Sequence, residues 1–136
     1  MLAGSGNVTF SSSVAQNALS TVYLGAQNTY AGTTLLDTAG TTATQIIVKL
    51  GTNNALPTTT VLTIDGGNGS GTGRFAELNL NGFDQQIAGL TNVVRSGAKA
   101  ALRKQRVVNS NISAPATLTI NNSSDYTFSG NLGGTE

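Results

Sequence analysis

The chain has 136 residues, seven Lys and Arg against six Asp and Glu, and no Cys, His or Trp. Charged residues make up 10% of it, against about 25% in an ordinary globular domain, while Thr, Gly, Asn and Ser fill 20, 17, 14 and 12 positions. A net charge of +1 removes global attraction to nucleic acid or membrane as a driving force, and the missing His and Cys remove imidazole catalysis, thiol chemistry and the usual zinc sites.

Disorder combines low hydrophobicity with high net charge, whereas 38% of this chain is hydrophobic and its aliphatics recur in short, spaced groups. The longest uninterrupted aliphatic run is Ile46-Ile47-Val48, too short to insert in a bilayer. Residues 1–30 lack the basic start and apolar stretch of a signal peptide.

From the N-terminus onward, one short pattern returns: aliphatic, any residue, aliphatic, then a turn-forming Gly, Asp or Asn. It reads Val22-Tyr23-Leu24-Gly25, Val48-Lys49-Leu50-Gly51, Leu62-Thr63-Ile64-Asp65, Leu78-Asn79-Leu80-Asn81 and Leu118-Thr119-Ile120-Asn121. A second echo sets an aromatic between Thr and a small residue, at Thr9-Phe10-Ser11, Thr29-Tyr30-Ala31 and Thr127-Phe128-Ser129. Alternation with a period of two, broken by Gly/Asn/Asp turns, predicts short β-strands throughout. The irregular repeat predicts a solenoid rather than a sandwich. Inward aliphatics of neighbouring coils then form a narrow core, and Thr, Asn and Ser face outward or stack in ladders. At about 20 residues per coil, the expectation is an all-β, parallel β-solenoid (β-helix) of about six or seven coils, with residues 1–136 as a single solenoid segment.

The stretch Ser96–Gln105 departs from this pattern. Its Ala, Leu, Lys and Arg content is helix-forming, so it reads as a short lateral helix near 97–105 or as a loop leaving the solenoid. The Gly-rich run Gly66–Gly73 lacks the Lys of a phosphate loop. It also has Gly71 where a calcium-binding nonapeptide places its Asp, so it reads as a corner loop without a metal.

Five of the seven cations, Arg95, Lys99, Arg103, Lys104 and Arg106, fall within twelve residues. They are the candidate contact for an acidic polysaccharide, with a solvated, solubilising loop as the simpler reading. No aromatic residue interleaves them, so single-stranded nucleic acid lacks its stacking platform. The carboxylates Asp37, Asp65, Glu77, Asp84, Asp125 and Glu136 are scattered singly. Asp65 and Asp84 are the pair most able to meet across coils for a glycan-cleaving site. The expectation is nevertheless a non-catalytic protein with no cofactor and no metal.

Several segments carry a resemblance to a known family: Asn28–Thr34, Leu50–Pro57, Leu78–Gln85, Ile87–Leu90, Ala116–Ile120 and Tyr126–Gly130. In this order the chain resembles the autotransporter-associated β-strand repeats, also called passenger-associated transport repeats. The resemblance implies a right-handed parallel β-helix from an exported bacterial surface protein, a passenger, adhesin or stalk rather than a catalyst. It implies a location at the cell surface or outside the cell, and no catalytic residues.

Solenoid ends expose unpaired strand edges and a slice of core. The expected partner is therefore the chain itself, stacked head to tail, or the neighbouring coils of a longer parent chain. Two functions follow: a structural rod, stalk or filament subunit, or an adhesin segment that holds an acidic glycan through residues 95–106. Neither nucleic acid nor insertion in a membrane is expected.

Overall fold

The computed structural model describes residues 1–12, 19–38, 44–67, 74–94 and 103–134, with backbone alone at Arg74, Arg103 and Lys104. The described residues contain strands and no helix. In chain order the strands are β1 (Val8–Ser11), β2 (Leu19–Leu24), β3 (Thr34–Asp37), β4 (Gln45–Leu50), β5 (Val61–Asp65) and β6 (Arg74–Asn79). They continue as β7 (Gln85–Ile87), β8 (Gly89–Asn92), β9 (Arg103–Val108), β10 (Leu118–Ile120) and β11 (Asn131–Leu132).

Three parallel stacks result. Face A holds β1-β3-β5-β8, face B holds β2-β4-β6-β9-β11, and face C holds β7-β10. The chain visits A, B and C in turn, which is a parallel β-solenoid. Face C is continued toward the N-terminus by backbone bonds without full strands, from Thr29 N–H to Leu2 O and from Asn28 N–H to Ala55 O.

The coil length differs from the expectation. On face A, Val8 pairs with Thr34, Thr34 with Leu62 and Leu62 with Leu90, steps of 26, 28 and 28 residues. The described chain therefore makes about 3 turns rather than six or seven. The reason lies in the repeat itself, whose copies sit on different faces. Val22, Val48 and Leu78 share face B, Leu62 belongs to face A and Leu118 to face C. The interval from Val48 to Leu62 crosses only from B to A, and that from Leu62 to Leu78 returns to B. Together they make one coil.

The helix-forming stretch is also corrected in part. Residues 103–105 begin β9, which pairs along its length with β6, while 95–102 lie outside the described residues. Pairing and burial in the ladder outweigh a helix propensity of a few tenths of a kcal/mol per residue.

The core follows the alternation. Leu36, Ile46, Val48, Leu50, Leu56, Leu62, Ile64, Leu78 and Ile87 are fully buried, and each such side chain contributes roughly 1.5–3 kcal/mol. The three aromatic echoes each set a ring at the core: Tyr30 is buried, and Phe10 and Phe128 are half-buried against it.

Buried hydroxyls bond one another across coils. Thr60 Oγ1 donates to Gly32 O at 3.0 Å, so its single proton is used there and it accepts from Thr34 Oγ1 at 2.8 Å. Thr34 in turn accepts from the Tyr30 hydroxyl at 2.5 Å. Burial pushes the Tyr30 phenol above its usual value. A folded-state value above the unfolded one means that the stabilisation is complete below the unfolded pKa of about 10 and is lost as pH rises through the folded value. Alkaline titration of the unfolding free energy is expected to show this loss above about pH 10, and Tyr30→Phe to reduce it.

Thr44 provides the opposite case. Its side chain is fully buried and its Oγ1 lacks a hydrogen-bond partner among the described residues. A buried unsatisfied hydroxyl costs about 1–3 kcal/mol. Thr44→Val is expected to raise the urea midpoint, with a gain of about 1 kcal/mol.

The corner between faces B and C explains the asparagine content. Asn81 and Gly82 have φ of 53° and 85°, and Phe83 N–H closes the turn on Leu80 O at 2.9 Å. Two left-handed residues in sequence define a type I′ turn, for which Asn-Gly is the preferred pair. Asparagines also join the coils at this corner. Asn53 Oδ1 accepts from Asp84 N–H, Asn54 Oδ1 from Gln86 N–H, and Asn79 Oδ1 from Ser110 N–H.

Candidate functional site

The fold separates the sequence-based candidates. Arg95 and Lys99 lie outside the described residues. Arg103 and Lys104 begin β9, in register with Arg74 and Phe75 of β6. Arg106 is opposite Glu77, and its Nε pairs with Glu77 Oε2. Its guanidinium also sits 4.0 Å from the centroid of the Phe75 ring, a cation–π contact. The charge of Arg106 is therefore committed within the chain, and a glycan-contact reading of the cluster rests on Arg95, Lys99, Arg103 and Lys104.

Sequence reading missed this ion pair because Glu77 and Arg106 meet only once the register of a 29-residue coil is known. Glu77 is fully buried, and Asn79 Nδ2 donates to its Oε1 at 3.0 Å. Glu77 alternates with the core residues Ala76 and Leu78, so it belongs to the outer side of face B. Ile47, Asn79 and Val108 are buried at outer positions of the same face.

Asp65 and Asp84 do not meet. Asp65 ends β5 at the corner between faces A and B, where its Oδ1 accepts from Gly67 N–H at 2.8 Å. Asp84 stands before β7 at the corner between B and C, where its Oδ1 accepts from Thr117 N–H at 2.7 Å. The carboxylates brought together are instead Asp37 and Asp65, direct register partners on β3 and β5. The signal for them is the 28-residue interval that aligns Leu36-Asp37 with Ile64-Asp65. Of the Gly-rich run, residues 68–73 lie outside the described residues.

Each end of the solenoid carries a recess. At the N-terminal end, Met1, Leu2, Tyr23, Leu24, Gly25, Ala26 and Asn28 line a recess of about 280 Å³ at the corner between B and C. At the C-terminal end, a second recess of about 280 Å³ opens at the same corner between Leu80, Val107, Ala116, Leu118, Ile120 and Leu132. The C-terminal recess is mainly apolar and the N-terminal one mixed, and Met1 and Leu132 are 83% and 60% exposed.

The corner between A and B carries hydrogen-bonded polar side chains at both ends. Ser12 and Ser20 share a hydroxyl bond of 2.9 Å at the N-terminal end. At the other end the column Phe10–Leu36–Ile64 finishes in Asn92, and the column Ser20–Ile46–Ala76 finishes in Gln105. These two amides satisfy each other, with Asn92 Nδ2 donating to Gln105 Oε1 at 3.2 Å and Gln105 Nε2 to Val93 O at 2.9 Å. Ser129 N–H donates to Asn92 Oδ1 at 2.8 Å.

Comparison with family models, with curated proteins and with solved structures gives no match. The functional reading therefore rests on the geometry of the chain itself.

Proposed function

We propose that this chain is a structural, non-catalytic β-solenoid of the bacterial surface or extracellular space, acting as a rod or stalk whose ends meet further coils. The further coils are those of another copy stacked head to tail, or those of a longer parent chain. One observation carries the reading: the parallel ladders of faces A and B stop at the edge strands β1 and β2, and the aliphatic column that begins at Val22 runs through face B to an exposed Leu132. Coils continued in register set Val22 of one copy on Leu132 of the next, and they pair the outer edges of β1 and β2, which have no further strand beside them among the described residues and expose backbone donors and acceptors. Such a contact is heterologous and does not close, so repetition builds a filament. The right-handed winding of this reading accords with the hand of nearly all parallel β crossovers. The non-catalytic reading is supported by the absence of His and Cys and by the placing of Asp65 and Asp84 at different corners.

The register supplies the test. Val22, Val48, Leu78, Val107 and Leu132 form one column. A second copy in register sets its Val22 about 4.8 Å from Leu132 of the first, within the 4.4–6.8 Å between Cα atoms that a disulfide spans. The chain has no cysteine of its own. The double variant Val22→Cys/Leu132→Cys is expected to form a ladder of linked multimers under mild oxidation, with neither single variant forming dimers. Dimers from a single variant, or a double variant that stays monomeric at high concentration, would overturn head-to-tail stacking in register.

A further inference from the structure

The turn at Asn81-Gly82 carries a chemistry unrelated to stacking. In an open chain an Asn-Gly pair is prone to cyclise. The Gly nitrogen loses its proton and attacks the Asn Cγ, the new C–N bond forms as the Cγ–Nδ2 bond breaks, and ammonia leaves. Water then opens the succinimide at either carbonyl, leaving aspartate or isoaspartate.

Here both reacting groups are held by neighbouring coils, one on each side. The nucleophile, Gly82 N–H, donates to Asn109 Oδ1 at 2.8 Å. The leaving group, Asn81 Nδ2, donates to Leu50 O at 2.9 Å. The left-handed conformation of Asn81, with φ of 53°, is fixed by the turn and by its N–H bond to Asn79 Oδ1 at 3.0 Å. Gly82 is held as well, since a Cβ built on it would lie 2.8 Å from the Ala114 Cβ. Attack therefore requires the corner to part from the coil before it and the coil after it.

We propose that Asn81-Gly82 is a latent modification site, closed by the fold and opened to succinimide-mediated deamidation when its contacts to Leu50 and Asn109 break. The product locks the opening in. A carboxylate at position 81 has no proton to donate, and it sets a negative charge against the Leu50 carbonyl. Deamidation at this position is then an irreversible record of local opening, which in native proteins spans free energies from near zero up to that of global unfolding.

The test is peptide mass mapping after incubation at mildly alkaline pH, with fragmentation to separate position 81 from Asn79 and Asn92 in the tryptic segment 75–95. Position 81 in the folded chain is expected to convert at least about tenfold more slowly than in a synthetic peptide of the same segment, a protection of about 1.4 kcal/mol. Asn109→Ala removes the acceptor of Gly82 N–H and is expected to speed conversion in a chain whose circular dichroism is unchanged. Asn109→Asp keeps an acceptor oxygen and is expected to restore much of the protection. Should Asn109→Ala unfold, the wild-type chain in sub-denaturing urea serves instead, conversion rising in step with hydrogen exchange of the Gly82 amide. Equal rates in folded chain and peptide would overturn the proposal. So would a folded Asn109→Ala chain with unchanged conversion, or conversion in urea that is independent of Gly82 exchange.

Discussion

Arg106→Met is expected to lower the unfolding free energy by about 3–5 kcal/mol, the range for removing one partner of a buried ion pair. Glu77 is fully buried and the Arg106 side chain is 15% exposed. The pair therefore works where solvent screening is weak, and the carboxylate cannot regain water when its cation is withdrawn. Methionine keeps much of the apolar stem over Phe75, so the loss reports on charge more than on packing. Replacing both partners, in Glu77→Leu/Arg106→Met, is expected to recover most of the loss, because a buried pair exchanged for apolar side chains of similar volume is often neutral or stabilising. Urea unfolding of the two single variants and the double variant gives the coupling directly. Additive losses would mean that the two side chains do not act as a pair.

Leu50→Ala is the second large effect, expected at about 2–5 kcal/mol from lost transfer energy and the cavity left behind. Leu50 pairs with Leu24 of the coil before it, and Leu80 follows the paired Lys49 and Asn79 on the coil after it, so its side chain is sandwiched between coils on both sides. Leu132 at the C-terminal recess is 60% exposed, and Leu132→Ala is expected to change stability by less than about 1 kcal/mol, in the range usual for surface positions. A solenoid is stabilised by nearest-neighbour interfaces, so the contrast between a middle coil and an end is a property of the architecture. Equal losses at both positions would contradict it.

Strand content was legible from alternation and parallel stacking from the repeat, and the repeat's aliphatics in the middle coils, Val48, Leu50, Leu62, Ile64, Leu78 and Leu80, are all buried, while Ile120 at the C-terminal end is exposed. The corner after β6 was legible from Asn81, the turn-forming residue that closes the copy Leu78-Asn79-Leu80-Asn81, and Asn-Gly is a pair that tolerates two positive φ values. Coil length was not, since Leu62-Thr63-Ile64 and Leu78-Asn79-Leu80 look alike yet lie on different faces. Without the coil length there is no register, and without register neither Glu77–Arg106 nor Asp37–Asp65 can be paired. The strand at Arg103–Val108 was hidden for another reason: its Lys and Arg content favours helix locally, while the edge of β6 offers it a ladder that sequence does not display.

The ends of the solenoid depend on register too, since it carries the column of Val22, Val48, Leu78 and Val107 to the exposed Leu132. Electron microscopy of the purified chain across a concentration series, with no partner added, tests the stacking of those ends most directly. Fibres one solenoid wide, with an axial repeat that is a whole number of strand spacings of about 4.8 Å, are the predicted result. Discrete single-chain particles at every concentration would contradict it.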